Sequence, residues 1–174
     1  MLKRRITFWL AAAALLGGCT QPTAPAAPPA PATATTKEEA AAAWQRQDYV
    51  TAERLYRSLA EKGDASAQHF LGKMYENGEG VRRDPAEAAK WFRLAANQGH
   101  TGAQFYLGGM YASGTGVPRD YVQAYMWFDL CSASPEAFYA SESRSEVAAK
   151  MTPSQVMEAQ RLVSAWKSKR LDQR

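Results

Sequence analysis

The sequence predicts an all-α solenoid, and three observations carry that expectation. Residues 67–102 and 103–138 align without a gap at a period of 36, with 15 of the first 28 aligned pairs identical. Each unit places apolar residues at helical spacing on both sides of a Gly-x-Gly turn. Helix-start signals recur at the same register in each unit. Self-similarity at a period of roughly 20–50 residues marks stacked helix pairs, each unable to bury its apolar face alone. About eight helices are expected.

The elements follow in chain order. Lys3, Arg4 and Arg5 precede an apolar stretch from Ile6 to Leu16. A bilayer span needs about 20 apolar residues, so this stretch reads as an export signal over residues 1–18. Gly17 and Gly18 then lead into Cys19. The run Leu16-Gly17-Gly18-Cys19 resembles the lipobox of bacterial lipoproteins. That resemblance implies a diacylglycerol on the Cys19 thiol and cleavage just before it. Thr20, in place of aspartate, implies sorting to the periplasmic face of the outer membrane. Acyl chains contribute about 0.8 kcal/mol per buried methylene, so several chains anchor firmly.

Residues 19–36 form the lipidated cysteine and a linker. Pro22, Pro25, Pro28, Pro29 and Pro31 stand among Ala and Thr, with no charge. Such a segment cannot bury a core and reads as a disordered, semi-extended tether. At about 3 Å per residue it reaches about 50 Å.

The repeats occupy residues 37–134: a degenerate unit at 37–66 and full units at 67–102 and 103–134. In the degenerate unit Asp48, Ala52, Leu55, Tyr56, Ala60 and Gly63 match Asp84, Ala88, Trp91, Phe92, Ala96 and Gly99. Its leading helix, Lys37 to about Gln47, is capped by Thr36-x-x-Glu39 and lacks a glycine turn.

In the full units the first helix carries Ala67, Leu71, Gly72, Met74 and Tyr75, repeated as Ala103, Leu107, Gly108, Met110 and Tyr111. A mid-helix glycine costs about 1 kcal/mol against alanine, so Gly72 and Gly108 predict close helix–helix approach. Gly78 and Gly114 end the first helices in left-handed conformation. Gly80 and Gly116 complete the turns, and Val81 and Val117 return the chain to the core. Asp84-Pro85-Ala86-Glu87 and Asp120-x-x-Gln123 start the second helices as capping boxes. Ala88, Trp91, Phe92 and Ala95 form the inward stripe, matched by Ala124, Trp127 and Phe128. Gly99 stops the helix and Thr101-x-x-Gln104 caps the next. Residues 135–174 read as capping helices, one opening at Ser134-Pro135 and running to about Lys150. The other opens at Thr152-Pro153 and runs to about Arg170.

These residues resemble the Sel1-like repeat, a relative of the tetratricopeptide repeat. Ala67-Gln68, Leu71-Gly72, Tyr75, Gly78-x-Gly80-Val81, Asp84, Ala88, Trp91-Phe92, Ala95-Ala96 and Gly99-His100 carry the likeness. It spans about residues 40–135 and fades where Cys131 and Ser132 replace the paired alanines. It implies a right-handed α/α superhelix whose first helices line the concave side. It also implies an adaptor for protein complexes, with no cofactor. Some cysteine-rich members are penicillin-binding or β-lactamase-like, but they carry a cysteine pair in each repeat. This chain has only Cys19 and Cys131.

Charge points to no nucleic acid. The net charge is +4, but losing Lys3, Arg4 and Arg5 with the leader leaves 18 basic against 17 acidic residues. The basic C-terminal residues Lys167, Lys169, Arg170 and Arg174 suit a solvated helix end. No phosphate loop or nucleophile elbow occurs. His69 and His100 have no ligand partners at metal-like spacing, so no metal is expected. Cys131 lies on an apolar stripe as a core thiol.

What remains is a surface. First-helix positions that differ between units are His69, Lys73 and Glu76 against Phe105, Gly109 and Ala112. They define a candidate partner-binding stripe. Phe105 is either an anchor for a partner or packed on a neighbouring helix. The expected function is a lipid-anchored, non-enzymatic interaction module of the bacterial envelope, binding an unidentified protein. An envelope hydrolase and a purely structural part of an assembly are the alternatives.

Overall fold

The computed structural model describes residues 36–131 and 137–172. The leader, Cys19, the linker up to residue 35 and the Ser134-Pro135 helix start lie outside the described residues. Among those described, the chain is eight helices with no strand: α1 (Lys37–Gln45), α2 (Tyr49–Glu61), α3 (Ala65–Asn77), α4 (Pro85–Asn97), α5 (Thr101–Ser113), α6 (Tyr121–Leu130), α7 (Ala137–Ala148) and α8 (Pro153–Leu171). Each helix from α1 to α7 packs on its neighbours in sequence, so the chain winds as a right-handed superhelix of helix pairs.

Small residues set how near the helices come. Ala52, Ala88 and Ala124 recur at the repeat period and are fully buried, as are Ala67 and Ala103. The two mid-helix glycines are the tightest points. A Cβ on Gly72 would lie 2.7 Å from the Phe92 ring, and one on Gly108 would lie 2.8 Å from the Phe128 ring. Each glycine is the slot for an aromatic ring from the second helix of its own unit. Burying such a ring contributes about 2–3 kcal/mol, which exceeds the helix cost of the glycine.

Adjacent units are tied by repeated polar bonds. The Gln68 amide donates to Ala60 O at 3.0 Å, and the Gln104 amide donates to Ala96 O at 3.2 Å. Arg57 donates to the Tyr75 hydroxyl at 2.6 Å, and Arg93 to the Tyr111 hydroxyl at 2.7 Å. Gly78 and Gly114 adopt φ of +79° and end their helices as expected. Gly80 and Gly116 do more than turn. A Cβ there would lie 2.3 Å from Tyr49 O and 2.2 Å from Pro85 O. The Gly-x-Gly loop therefore docks on the start of the preceding unit's second helix.

Three helix starts differ from expectation. His100, not Thr101, caps α5: its Nδ1 accepts from the Ala103 N–H at 3.2 Å. Gln104 is drawn inward to Ala96, so it cannot complete a capping box. Asp84 caps α4 by accepting from Ala86 and Glu87, but its own N–H donates to Tyr75 O at 2.9 Å. Glu87 is thereby released and pairs with Lys90. Asp120 behaves alike, its N–H bonded to Tyr111 O. The boxes at Thr36 and Thr152 form in full. Helix α1 stops at Gln45 because the chain turns at Gln47, which takes a left-handed φ of 60°, and Asp48 then caps α2.

The array closes at its C-terminal end. Helix α7 packs on α6 and touches α5, as the next first helix would. Helix α8 lies along α6 instead of pairing with α7 as a second helix. Its Val163 enters the core shared by α4, α5 and α6. Asp129 stands at the register of Arg57 and Arg93 and reverses their charge. It accepts from Arg144 on α7 at 2.5 Å and lies 3.7 Å from Lys167 on α8.

The glycines give a sign test. Gly72→Ala drives a methyl into the Phe92 ring and should lower stability by about 1 kcal/mol or more. A Cβ at Gly109 meets nothing within 4 Å. Gly109→Ala should therefore raise stability by up to about 1 kcal/mol. Urea unfolding midpoints of the two variants, moving in opposite directions, would check this.

Candidate interaction surface

The first helices α1, α3 and α5 meet through their side chains along one side of the array. Trp44 on α1 lies 6.1 Å from Phe70 on α3, ring centroid to centroid, and 5.3 Å from Tyr49. Phe70 also stacks on Tyr56 at 4.9 Å. Lys73 on α3 projects between two units. Its Nζ is 6.0 Å from the Trp44 ring and 6.0 Å from the Tyr106 ring on α5. Trp44, Lys73 and Tyr106 are all half-buried. No carboxylate among the described residues forms an ion pair with Lys73. A cation between aromatic faces is held electrostatically by their quadrupoles, so the ammonium is pre-positioned.

Gly109 occupies on α5 the register that Lys73 holds on α3. Open space lies above it. The helix thus carries a glycine that no packing contact requires. The result is a row of aromatic faces and one cation crossing three units, with bare backbone beside Tyr106.

The family model of the Sel1 repeat matches residues 43–64, 65–100 and 101–130. This chain belongs to the Sel1 repeat family. Sel1 repeats form solenoids that mediate protein–protein contacts and are typically non-catalytic scaffolds. The Sel1 solenoid is similar to the crystal structure of a protective antigen of uropathogenic Escherichia coli displaying an SLR fold. The TM-score is 0.70 at 36% identity, covering 75% of this chain and 28% of that one. It is also similar to a Sel1 repeat protein from Oxalobacter formigenes, with TM-score 0.54 at 28% identity, covering 57% of this chain and 40% of the other. The chain thus spans well under half the length of either. A search of curated proteins found no match.

Within this Sel1 array the candidate stripe residues separate. Lys73 is on the aromatic row. His69 lies in the seam between units: it stacks on His100 at 4.5 Å and packs near Phe92 and Tyr106 at 5.9 and 5.6 Å. Phe105 turns toward its own unit, 5.7 Å from the Phe128 ring, and it and Ala112 pack on the core of α6 to α8. Glu76 sits half-buried one turn beyond Lys73. Burial pushes its carboxyl pKa up, partly offset by the charges of Lys73 and Arg83.

Trp44, Phe70 and Tyr106 were not singled out by comparing units. Phe70 and Tyr106 share one repeat register and are aromatic in both. A comparison that discards shared positions as packing passes over them.

No group of three His, Cys, Asp or Glu among the described residues could hold a metal ion. Cys131 is fully buried, its Sγ 3.3 Å from Trp127 O and 3.4 Å from Thr101 O, a core position. A concavity of about 620 Å³ borders Tyr75 and Val81 to Pro85. Among its lining, Asp84 caps α4 and Arg83 donates to Glu76 O at 2.9 Å.

The half-buried Glu76 carboxyl gives a pH test. Its folded pKa is raised, so the unfolded chain ionises first as pH rises. Stability is then lost between the ordinary carboxylate value and the raised one. Glu76→Gln should be more stable than the parent above that window and indistinguishable below it. Thermal midpoints of both proteins across the carboxylate range would check the sign.

Proposed function

We propose that this chain is a lipid-anchored interaction module of the bacterial envelope, binding a partner protein on the concave face of its Sel1 array. The observation that carries the reading is the Trp44, Lys73 and Tyr106 row across three units. Trp and Tyr are among the residues that dominate protein interfaces. Gly109 adds a second argument. A mid-helix glycine with open space above it gives up helix stability and gains room on this face. Membership of a repeat family of interaction modules supports the same direction.

The anchoring half of the proposal rests on the sequence. The charged start, short apolar stretch and Leu16-Gly17-Gly18-Cys19 run supply the signal, and Cys19 supplies the thiol. In a double-membraned host, Thr20 favours the periplasmic face of the outer membrane. The linker would then act as reach, holding the array clear of the headgroups.

Two experiments test the halves separately. Cys19→Ser should abolish incorporation of a palmitate analogue and move the protein from the membrane to the soluble fraction after cell breakage. Retention in the membrane would sink the lipid anchor. For the face, Gly109→Trp places a large ring over the open backbone without meeting a neighbour at Cβ. Crosslinking in intact envelopes should capture a specific protein with the parent chain and lose it with Gly109→Trp. Equal capture by both would move the interface elsewhere.

A further inference from the structure

The starts of α3 and α5 occupy one repeat register but use different chemistry. Asp64 caps α3, accepting from the Ala67 N–H at 2.9 Å and pairing with Lys37. One period on, His100 caps α5 through Nδ1, which accepts from the Ala103 N–H at 3.2 Å. An accepting Nδ1 carries no proton, so this cap requires a neutral imidazole. His69 on α3 stacks on the same imidazole at 4.5 Å, with 23° between the rings. Gly102 makes room for the pair where α3 has Ser66. A Cβ on Gly102 would lie 3.3 Å from both His100 Cε1 and His69 Nε2.

Three effects oppose charging this pair. Protonating His100 at Nδ1 removes the acceptor and leaves the Ala103 amide without its cap. Either imidazolium would stand at the first turn of α5, where the helix dipole is already positive. Two charged rings 4.5 Å apart would also repel each other.

The surrounding groups come from five helices. On α3, Lys73 stands one turn beyond His69, and Glu76 follows, under the influence of Lys73 and Arg83. Helix α4 presents Phe92, while its Lys90 and Arg93 bond to Glu87 and to Tyr111. Helix α5 contains no Asp, Glu, Lys or Arg, and its Tyr106 lies 5.6 Å from His69. On α6, Cys131 Sγ lies 3.4 Å from Thr101 O. On α8, the Arg170 guanidinium lies against Gly99, directly before His100. Lys73 and Arg170 thus add positive charge to the neighbourhood.

We infer that the seam between the two full units is an acid-sensitive joint, in which protonation of the His69–His100 pair uncaps α5 and loosens its first turn. Imidazole takes up its proton at about pH 6.5 when unperturbed, whereas a carboxylate cap stays ionised across that range. A cap that needs neutral histidine stabilises the fold above the ordinary histidine range, and this contribution is lost as pH falls through it. The Asp64 seam stays closed over the same interval. Gln98 donates to Gln68 at 2.8 Å across the histidine seam and does not titrate, so the two units stay joined while the start of α5 opens. Tyr106 is carried on α5, so the joint also sets where that ring stands relative to Lys73.

Amide hydrogen exchange on the full chain in detergent tests this, read as protection factors so that the intrinsic pH dependence drops out. Between about pH 7.5 and about pH 5.5, the Ala103 amide should lose protection on the order of tenfold, while the Ala67 amide under its aspartate changes little. His100→Asn caps without titrating in that range and should keep Ala103 protected at both pH values. His69→Gln removes the second charge and should shrink the fall; an unchanged fall would overturn the role of the pair. Level protection at Ala103, parallel loss at Ala67, or the same fall in His100→Asn would overturn the joint itself. Should His100→Asn fail to fold, the parent chain decides alone. Its Ala103 amide resonance must follow the His100 imidazole through its titration, and an amide that ignores that titration overturns the inference.

Discussion

A phenyl ring seated on a glycine is the contact from which the array is built. Phe92 over Gly72 and Phe128 over Gly108 fix the approach of the two helices within each full unit. Once that approach is set, the spacing between units follows. The buried alanines at the repeat period have room for no larger side chain without spreading the helices. The Gly-x-Gly loop reaches the start of the preceding second helix only if the first helix ends where the ring holds it. The bonds from Gln68 and Gln104 to the preceding helix, and from Arg57 and Arg93 to the tyrosine hydroxyls, then lock that register. The two glutamine bonds are buried and costly to leave unmade, the Arg57 bond is half-buried, and the Arg93 bond is exposed.

The same register explains how the array ends. Asp129 replaces the arginine that would tie a further unit, and it gathers Arg144 and Lys167 from the last two helices. Helix α8 packs on α6, with Val163 in the core of α4, α5 and α6 and Trp166 packed against it. A repeat stack exposes an apolar end unless something closes it. Here closure comes from one charge reversal and one long helix laid across the stack. Trp44, Lys73 and Tyr106 on the first helices take no part in that closure.

Much of the fold is legible in the sequence because its determinants are local or periodic. The period of 36, the left-handed glycines, the proline at the start of α4 and the two full capping boxes each act within a few residues. The corrections fall where a distant partner competes. His100 caps α5 because Gln104 is claimed by Ala96 on the helix before. Glu87 leaves its capping box because Tyr75 takes the Asp84 amide. The stripe of variable positions likewise mixes surface with seam. Helical spacing puts His69, Lys73 and Glu76 on one face, but it does not say which of them a neighbouring unit covers.

By itself, the sequence determined that this is an all-α array of Sel1 units with defined helix starts and stops, since those depend on backbone chemistry read over one or two turns. Tertiary structure alone decided which exposed-looking residues form a surface. It packed a half-buried Phe105 against Phe128, stacked His69 on His100, and set Lys73 near both Trp44 and Tyr106. Those three outcomes depend on the angle and distance between helices of different units. Ring volume against glycine sets that geometry, and no spacing along a single helix encodes it.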